Sequence, residues 1–253
     1  MEVLLLQTDI YWQQPEKNRR HAENVIKESP DADIIVLPEM FTTGFCTSPV
    51  GVAEEANTET LRWMQQIASE KNAAVCGSVA TIDNGRYYNR FYFVKPDGDY
   101  ATYNKRHLFT YAGEDKEYEA GKERVIVEYK GVRILLQVCY DLRFPVFSRN
   151  RGDYDVAIYI ASWPESRIEA WNTLLRARAI ENVCYVVAVN RMGDDPGNHY
   201  CGGTTLIDYK GKDIVAAGYE KEESVCGIID LQALNDFRKI FPALKDADDF
   251  TLI

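Results

Sequence analysis

Short apolar runs alternate with longer amphipathic stretches along almost the whole chain, and this order limits the possible folds more than any other feature. "EVLLLQT" (2–8) and "ADIIVLPE" (32–39) are dense enough in Leu, Ile and Val to be buried strands. Between them, "EKNRRHAENVIKES" (16–29) repeats its apolar positions at helical spacing. A second helix is expected over 58–72, "TETLRWMQQIASEKN", with Thr58 as its cap, leading into the strand "AAVCGSVA". "RYYNRFYFV" (86–94) alternates like a strand, Pro96, Asp97 and Gly98 form a tight turn, and "YATYNK" returns as the hairpin partner. The pattern then runs strand "RILLQVC" (133–139), helix "FPVFSRNRG" (144–152), strand "YDVAIYIAS" (154–162), helix "ESRIEAWNTLLRARAIEN" (165–182) and strand "CYVVAVN" (184–190). "GGTTLIDYKGKDIVAAG" (202–218) and "SVCGIID" (224–230) add antiparallel strands.

Such alternation implies an α/β fold, with a mixed sheet system covered by helices. No Pro/Ser/Gly-rich linker divides the 253 residues, so one domain over 1–253 is expected, long enough for a substantial core. No fixed-period repeat is present, and no G-x-G-x-x-G follows the first strand, so the chain does not look like a simple dinucleotide binder.

Composition narrows the partners. The 29 basic and 39 acidic residues leave a net charge of −10, and no Lys/Arg cluster could track a phosphate backbone, which argues against nucleic acid. The start, "MEVLLLQTDIYW", has no basic flank and too short an apolar run for a signal peptide, and no later run approaches a membrane span. A cytoplasmic protein is expected. Cys46, Cys76, Cys139, Cys184, Cys201 and Cys226 then read as free thiols. They include no C-x-x-C pair, and His21, His107 and His199 lie far apart, so neither a metal nor another cofactor is expected.

Reactive side chains in α/β proteins gather where strands give way to loops. Glu39 ends "DIIVLPE", Lys105 ends "YATYNK" and Cys139 ends "RILLQVC". Taken singly, each has an ordinary reading: a packed small hydrophobe for the cysteine, a solvated loop charge for the other two. Together they fit one mechanism. A cation favours the thiolate, a carboxylate accepts the thiol proton during attack, and the thiol is the nucleophile.

The segments that carry these residues resemble the carbon–nitrogen hydrolase (nitrilase) superfamily. The matching stretches are "LPEMFTTGF" (37–45), "NKRHLF" (104–109), "VCYDLRFP" (138–145) and "WNTLLRARAIEN" (171–182), with "GGTTLID" (202–208) matching more weakly. The resemblance implies a four-layer α-β-β-α sandwich, a homodimer, and a Glu39, Lys105 and Cys139 triad. It also implies a second glutamate before Gly121; Glu114 stands seven positions ahead of that glycine, with Glu117 and Glu119 as competitors. The backbone N–H of Tyr140 and the Lys105 ammonium would face the developing oxyanion, with Asp141 and Arg143 holding the turn.

"NKRHLF", "CYDLRFP" and "ASWPESR" (161–167) look most like the ω-amidase branch. That likeness implies hydrolysis of the terminal amide of short ω-dicarboxylic monoamides such as 2-oxoglutaramate and 2-oxosuccinamate, through a thioester, with water as co-substrate. A nitrilase proper usually has Trp-Glu after its cysteine, where this chain has Tyr140 and Asp141. Phe41 and Trp163 are the expected pocket walls, and Arg143, Arg167 and Arg191 the available types for a distal carboxylate. Two rival readings are a Cys139–His107 peptidase and a non-catalytic binding protein on the same fold.

Overall fold

The architecture is that of a computed structural model, which describes residues 1–56 and 58–251. The first half contains β1 (Glu2–Gln7), α1 (Pro15–Glu28), β2 (Ile34–Val36), β3 (Glu54–Glu55), α2 (Glu59–Lys71), β4 (Ala74–Asp83), β5 (Arg86–Val94) and β6 (Tyr100–Asn104). There follow β7 (Ile126–Tyr129), β8 (Val132–Val138), α3 (Pro145–Ser148), β9 (Val156–Ala161), α4 (Ile168–Asn182) and β10 (Tyr185–Asn190). The chain closes with β11 (Met192–Asp194), β12 (His199–Cys201), β13 (Thr205–Ile207), β14 (Asp213–Ala216), β15 (Glu223–Ile228) and α5 (Leu231–Ile240).

Two mixed sheets result. One runs β15-β1-β2-β4-β5-β6 with β3 beside β4, and the other runs β14-β13-β10-β9-β8-β7. Strand periodicity explains their layering, because alternate side chains point to opposite faces. In β1, Val3 and Leu5 join the cluster shared with β7 to β10, whereas Leu4 and Leu6 pack with Ala22 and Ile26 of α1 and Met64 and Ile67 of α2. On the far side of the second sheet, α4 buries Trp171, Leu175 and Ala179 along one stripe. The order is therefore helix, sheet, sheet, helix. No helix among the described residues is long and apolar enough to cross a membrane.

Local chemistry departs from the expected boundaries in three places. Thr58 sits at the α2 N-cap, but its hydroxyl donates to the Glu55 carbonyl at 2.7 Å; the Glu54 carboxylate instead receives the Thr60 N–H at 2.9 Å. The helix expected over 144–152 ends at Ser148. Asn150 ends it by accepting from Gly152 and Asp153 N–H and donating to the Tyr154 and Asn182 carbonyls, a local network that competes with helical bonding. The first apolar run makes a full strand, but the second contributes only three residues to its sheet, so Glu39 lies beyond β2 rather than in it.

Candidate active site

Strand β8 runs extended to Val138 (φ −125°), and the next residue, Cys139, has φ +46°. A non-glycine side chain in the left-handed region is strained and needs surrounding structure to hold it. Asp141 supplies that support. One of its oxygens receives Val138 N–H at 2.9 Å and the Tyr103 hydroxyl at 2.8 Å; the other receives His107 N–H at 3.0 Å and faces His107 Nδ1 at 2.7 Å. The Cys139 thiol is thereby delivered to the sheet end, 4.0 Å from the Ser162 carbonyl that follows β9.

A second turn places Glu39. Beyond β2 the backbone reaches φ +43° at Met40, whose N–H is held by the Ser78 hydroxyl at 2.9 Å. The Glu39 carboxylate is fully buried. Its Oε1 accepts from Asn89 Nδ2 at 2.8 Å and Lys105 Nζ at 2.9 Å, and its Oε2 accepts from Ser162 N–H at 2.8 Å.

Lys105 follows β6, tied by its own N–H to the Asn89 carbonyl at 3.0 Å. Its carbonyl receives Gly121 N–H at 2.9 Å, at a point so close that a Cβ on Gly121 would meet Asn104 O at 2.0 Å. Among the three glutamates competing for the second position, Glu114 is buried, and Lys105 Nζ lies 2.9 Å from its Oε2 and 3.1 Å from its Oε1. The Phe109 N–H donates to Glu114 at 2.6 Å. Glu117 and Glu119 are exposed, the latter paired with Arg86.

Burial dominates the electrostatics. It pushes the Cys139 thiol well above its ordinary range, the Glu39 charge adds to the rise, and Lys105 opposes it. Burial also works against the Lys105 ammonium, but Glu114, Glu39 and Cys139 outweigh it and hold Lys105 charged. Glu114 is raised by burial, with Lys105 pulling the other way.

Cys139 and Lys105 stand at the floor of a cavity of about 280 Å³, lined also by Ser162, Trp163, Arg143, Arg167 and a rim of aromatics, and the Glu39 and Glu114 carboxylates are buried against Lys105. Trp163 carries the Arg143 guanidinium 4.9 Å above its ring, and its Nε1 donates to the Arg167 carbonyl at 2.8 Å. Arg143 thus faces the cavity instead of bracing the turn, which is held by Asp141 and by Arg178, whose Nη2 donates to the Leu142 carbonyl at 2.5 Å. Phe41 is not a pocket wall. The turn at Met40 directs it to the helix-covered face, against Trp63 and Gly77, and Phe45 lines the cavity in its place, its ring centre 5.1 Å from Lys105 Nζ.

Arg191 is likewise removed from the cavity. Its buried Nε donates to the Met192 carbonyl and its Nη2 to Asp9 and the carbonyls of Ile10 and Asp194. His107 stacks on Phe144 at 4.0 Å and turns its ring nitrogen to Asp141, so no Cys139–His107 pair forms.

A carbon-nitrogen hydrolase family model matches residues 3–239. The chain belongs to this family. Among carbon-nitrogen hydrolases, the omega-amidase YafV of Yersinia enterocolitica is 44% identical over 256 residues, covering 100% of this chain and 99% of its own. The 2-oxoglutaramate amidase of Bacillus subtilis is 36% identical over 250 residues, 96% of each chain. XC1258 from Xanthomonas campestris, a CN-hydrolase superfamily protein whose crystal structure has an arsenic adduct in the active site, aligns with a TM-score of 0.97. It is 42% identical and the alignment covers 100% of this chain and 98% of that one. As a carbon-nitrogen hydrolase, the chain is an enzyme.

Two features of this hydrolase's site escape sequence reasoning. Asn89 reads only as one polar position in the alternating strand "RYYNRFYFV". The β11–β12 hairpin, whose loop brings Asp195 to Asn198 over the cavity, has strands of three residues that carry no periodic signal.

Proposed function

We propose that this carbon-nitrogen hydrolase is a cysteine-dependent ω-amidase that releases ammonia from short ω-dicarboxylic monoamides such as 2-oxoglutaramate and 2-oxosuccinamate. The observation that carries the reading is the pairing of a buried Cys139, Lys105, Glu39 and Glu114 cluster with a small cavity that holds two arginines. Neither Arg143 nor Arg167 has a carboxylate partner among the described residues, and each rests on an aromatic ring, that of Trp163 or Phe109. Arginine is suited to bidentate capture of a carboxylate, and the cavity is of metabolite size.

In the proposed reaction Glu39 takes the thiol proton as Cys139 Sγ bonds to the amide carbonyl carbon. The resulting oxyanion is held by the Lys105 ammonium and by Tyr140 N–H. That N–H belongs to the first turn of the 3-10 helix Cys139–Arg143, where N–H groups have no acceptor within the helix. Glu39 passes its proton to the amide nitrogen, the C–N bond breaks and ammonia leaves, giving a thioester. Glu39 then deprotonates a water that adds to the thioester carbon. The C–S bond breaks, Cys139 regains its proton and the carboxylic acid departs. Glu114 keeps Lys105 charged and aimed throughout. In this reading the αL turn at Cys139 directs the sulfur and the next N–H to the same substrate carbonyl.

Ammonia release from 2-oxoglutaramate tests this, with 2-oxosuccinamate, glutamine, an aliphatic amide and a nitrile in the same panel and Cys139→Ala as control. Preference for the oxo-amides, lost in the control, is the expected outcome. Preference for another amide would overturn the substrate assignment, and undiminished release by Cys139→Ala would overturn the mechanism.

A further inference from the structure

We propose that Asn89 is a positioning residue that holds the Glu39 and Glu114 carboxylates together on Lys105 and so sets the acid side of the enzyme's pH profile. The proposal rests on the reading of Glu39 as base and Cys139 as nucleophile.

Asn89 is fully buried in β5, opposite Ala80 of β4, with its carbonyl occupied by Lys105 N–H. Its Nδ2 lies 2.8 Å from Glu39 Oε1 and 3.2 Å from Glu114 Oε1, so its two hydrogens serve two different carboxylates. Its Oδ1 is buried and accepts nothing among the described residues. The orientation is forced, because exchanging O and N would set a carbonyl oxygen against two carboxylate oxygens. A residue present only to fill space in a strand interior would leave no orphaned acceptor, as Val or Leu would not. The amide's contribution is therefore its two donors.

Those donors answer an imbalance. Lys105 is one positive charge beside two buried carboxylates, and both Oε1 atoms must approach it without repelling each other apart. Among the other titratable groups facing Glu39, the Cys139 thiol hydrogen-bonds it and the tyrosines do not. Besides Lys105 and Glu114 these groups are Cys139, Tyr118 and Tyr200, and the two tyrosine hydroxyls are committed to the Cys46 carbonyl and to Asp195. Among the described residues, Asn89 Nδ2 and Ser162 N–H are uncharged donors to the Glu39 side chain beside the Cys139 thiol. Removing a donor from a carboxylate favours its protonated form, and a protonated Glu39 cannot take the thiol proton. Asn89 does not line the cavity, so substrate binding is separate from this effect.

The test measures kcat and KM for 2-oxoglutaramate from pH 5 to 9 in Asn89→Leu and Asn89→Ala. In parallel, the pH dependence of Cys139 alkylation by iodoacetamide is followed by intact mass, which needs no substrate. The acid limb of both profiles is expected to move at least one pH unit upward, with KM within threefold of wild type. Leu keeps the volume and Ala adds no bulk, so one variant decides should the other fail to fold. A wild-type acid limb in either folded variant overturns the role of Asn89. Cys139→Ala and Glu39→Gln run alongside: ammonia release surviving the first, or alkylation unchanged by the second, would instead overturn the underlying assignment of nucleophile and base.

Discussion

Lys105 Nζ lies 2.9 Å from Glu114 Oε2, and neither side chain has any exposed surface. A buried ion pair adds little over an apolar replacement of both partners, but removing one partner strands the other charge, at about 3–5 kcal/mol. Lys105→Met strands two carboxylates at once and is expected at the upper end of that range, with activity lost. Glu114→Gln keeps the shape and leaves Glu39 to balance the ammonium, so it should cost less. Urea unfolding checks both, and a Lys105→Met protein as stable as wild type would contradict the geometry.

Asp141 bears on Cys139 without facing the cavity. Its two oxygens take four contacts, buried ones from Tyr103 and Val138 and half-buried ones from the backbone and ring of His107. Hydrogen bonds to a charged group contribute about 1.5–3 kcal/mol each, and Asp141→Ala leaves the Val138 N–H and the Tyr103 hydroxyl unsatisfied. A loss of roughly 3 kcal/mol or more is expected, together with release of the strained φ at Cys139. Iodoacetamide labelling of Cys139 should lose its site selectivity in this variant even at temperatures where circular dichroism reports a folded protein.

How far the chain can be read without coordinates follows from what each residue's neighbours are. Glu39 and Cys139 stand out because an apolar run that must be buried ends abruptly in an ionisable side chain, Lys105 because it closes a hairpin strand, and the fold brings the three together. Asn89 does not stand out, since its meaning lies in two carboxylates 50 and 25 positions away. The expectation of Phe41 as a pocket wall fails for a local reason: the backbone reversal at Met40 sends its ring to the opposite face of the sheet. The α5 helix has a readable start, because Asp230 caps it by accepting from Ala233 N–H, but Asp230 also closes the apolar run "SVCGIID", whose pattern is that of a strand. The pairing of β1 with β15 joins the two ends of the chain, which no local pattern reports.

Stability should fall in alkali, and Cys184 gives the sign. Burial pushes its thiol from the ordinary 9.0 to about 12. Between those values the unfolded chain has released the proton and the folded chain has not, so the folded state binds more protons and stability drops as pH rises. The contribution is whole below pH 9 and is lost on the way to 12. At one pKa unit per 1.36 kcal/mol, this site alone accounts for about 2 kcal/mol by pH 10.5. Urea midpoints at pH 7, 9 and 10.5 should decline for the wild type and less steeply for Cys184→Ala. Equal slopes would show that the thiol ionises as readily in the folded protein as in the unfolded one.

Arg143 and Arg167 separate substrate class from catalysis. Both line the cavity with no ion pair among the described residues, and Asp195, the acidic side chain nearest to hand, already accepts the Tyr200 hydroxyl and the Gly197 and Asn198 N–H groups. Among the described residues the cavity thus offers two arginines without an ion pair and one carboxylate already taking three neutral donors, a balance that favours the carboxylate of a diacid monoamide. Replacing a charge-assisted contact costs about 1.5–3 kcal/mol, or roughly 10- to 150-fold in affinity. Arg143→Met and Arg167→Met are expected to raise KM for 2-oxoglutaramate within that range while changing kcat/KM for an uncharged aliphatic amide less than threefold. The comparison must be made on both substrates, because loss on the uncharged amide as well would mean that the arginines support the walls formed by Trp163 and Phe109 rather than the carboxylate.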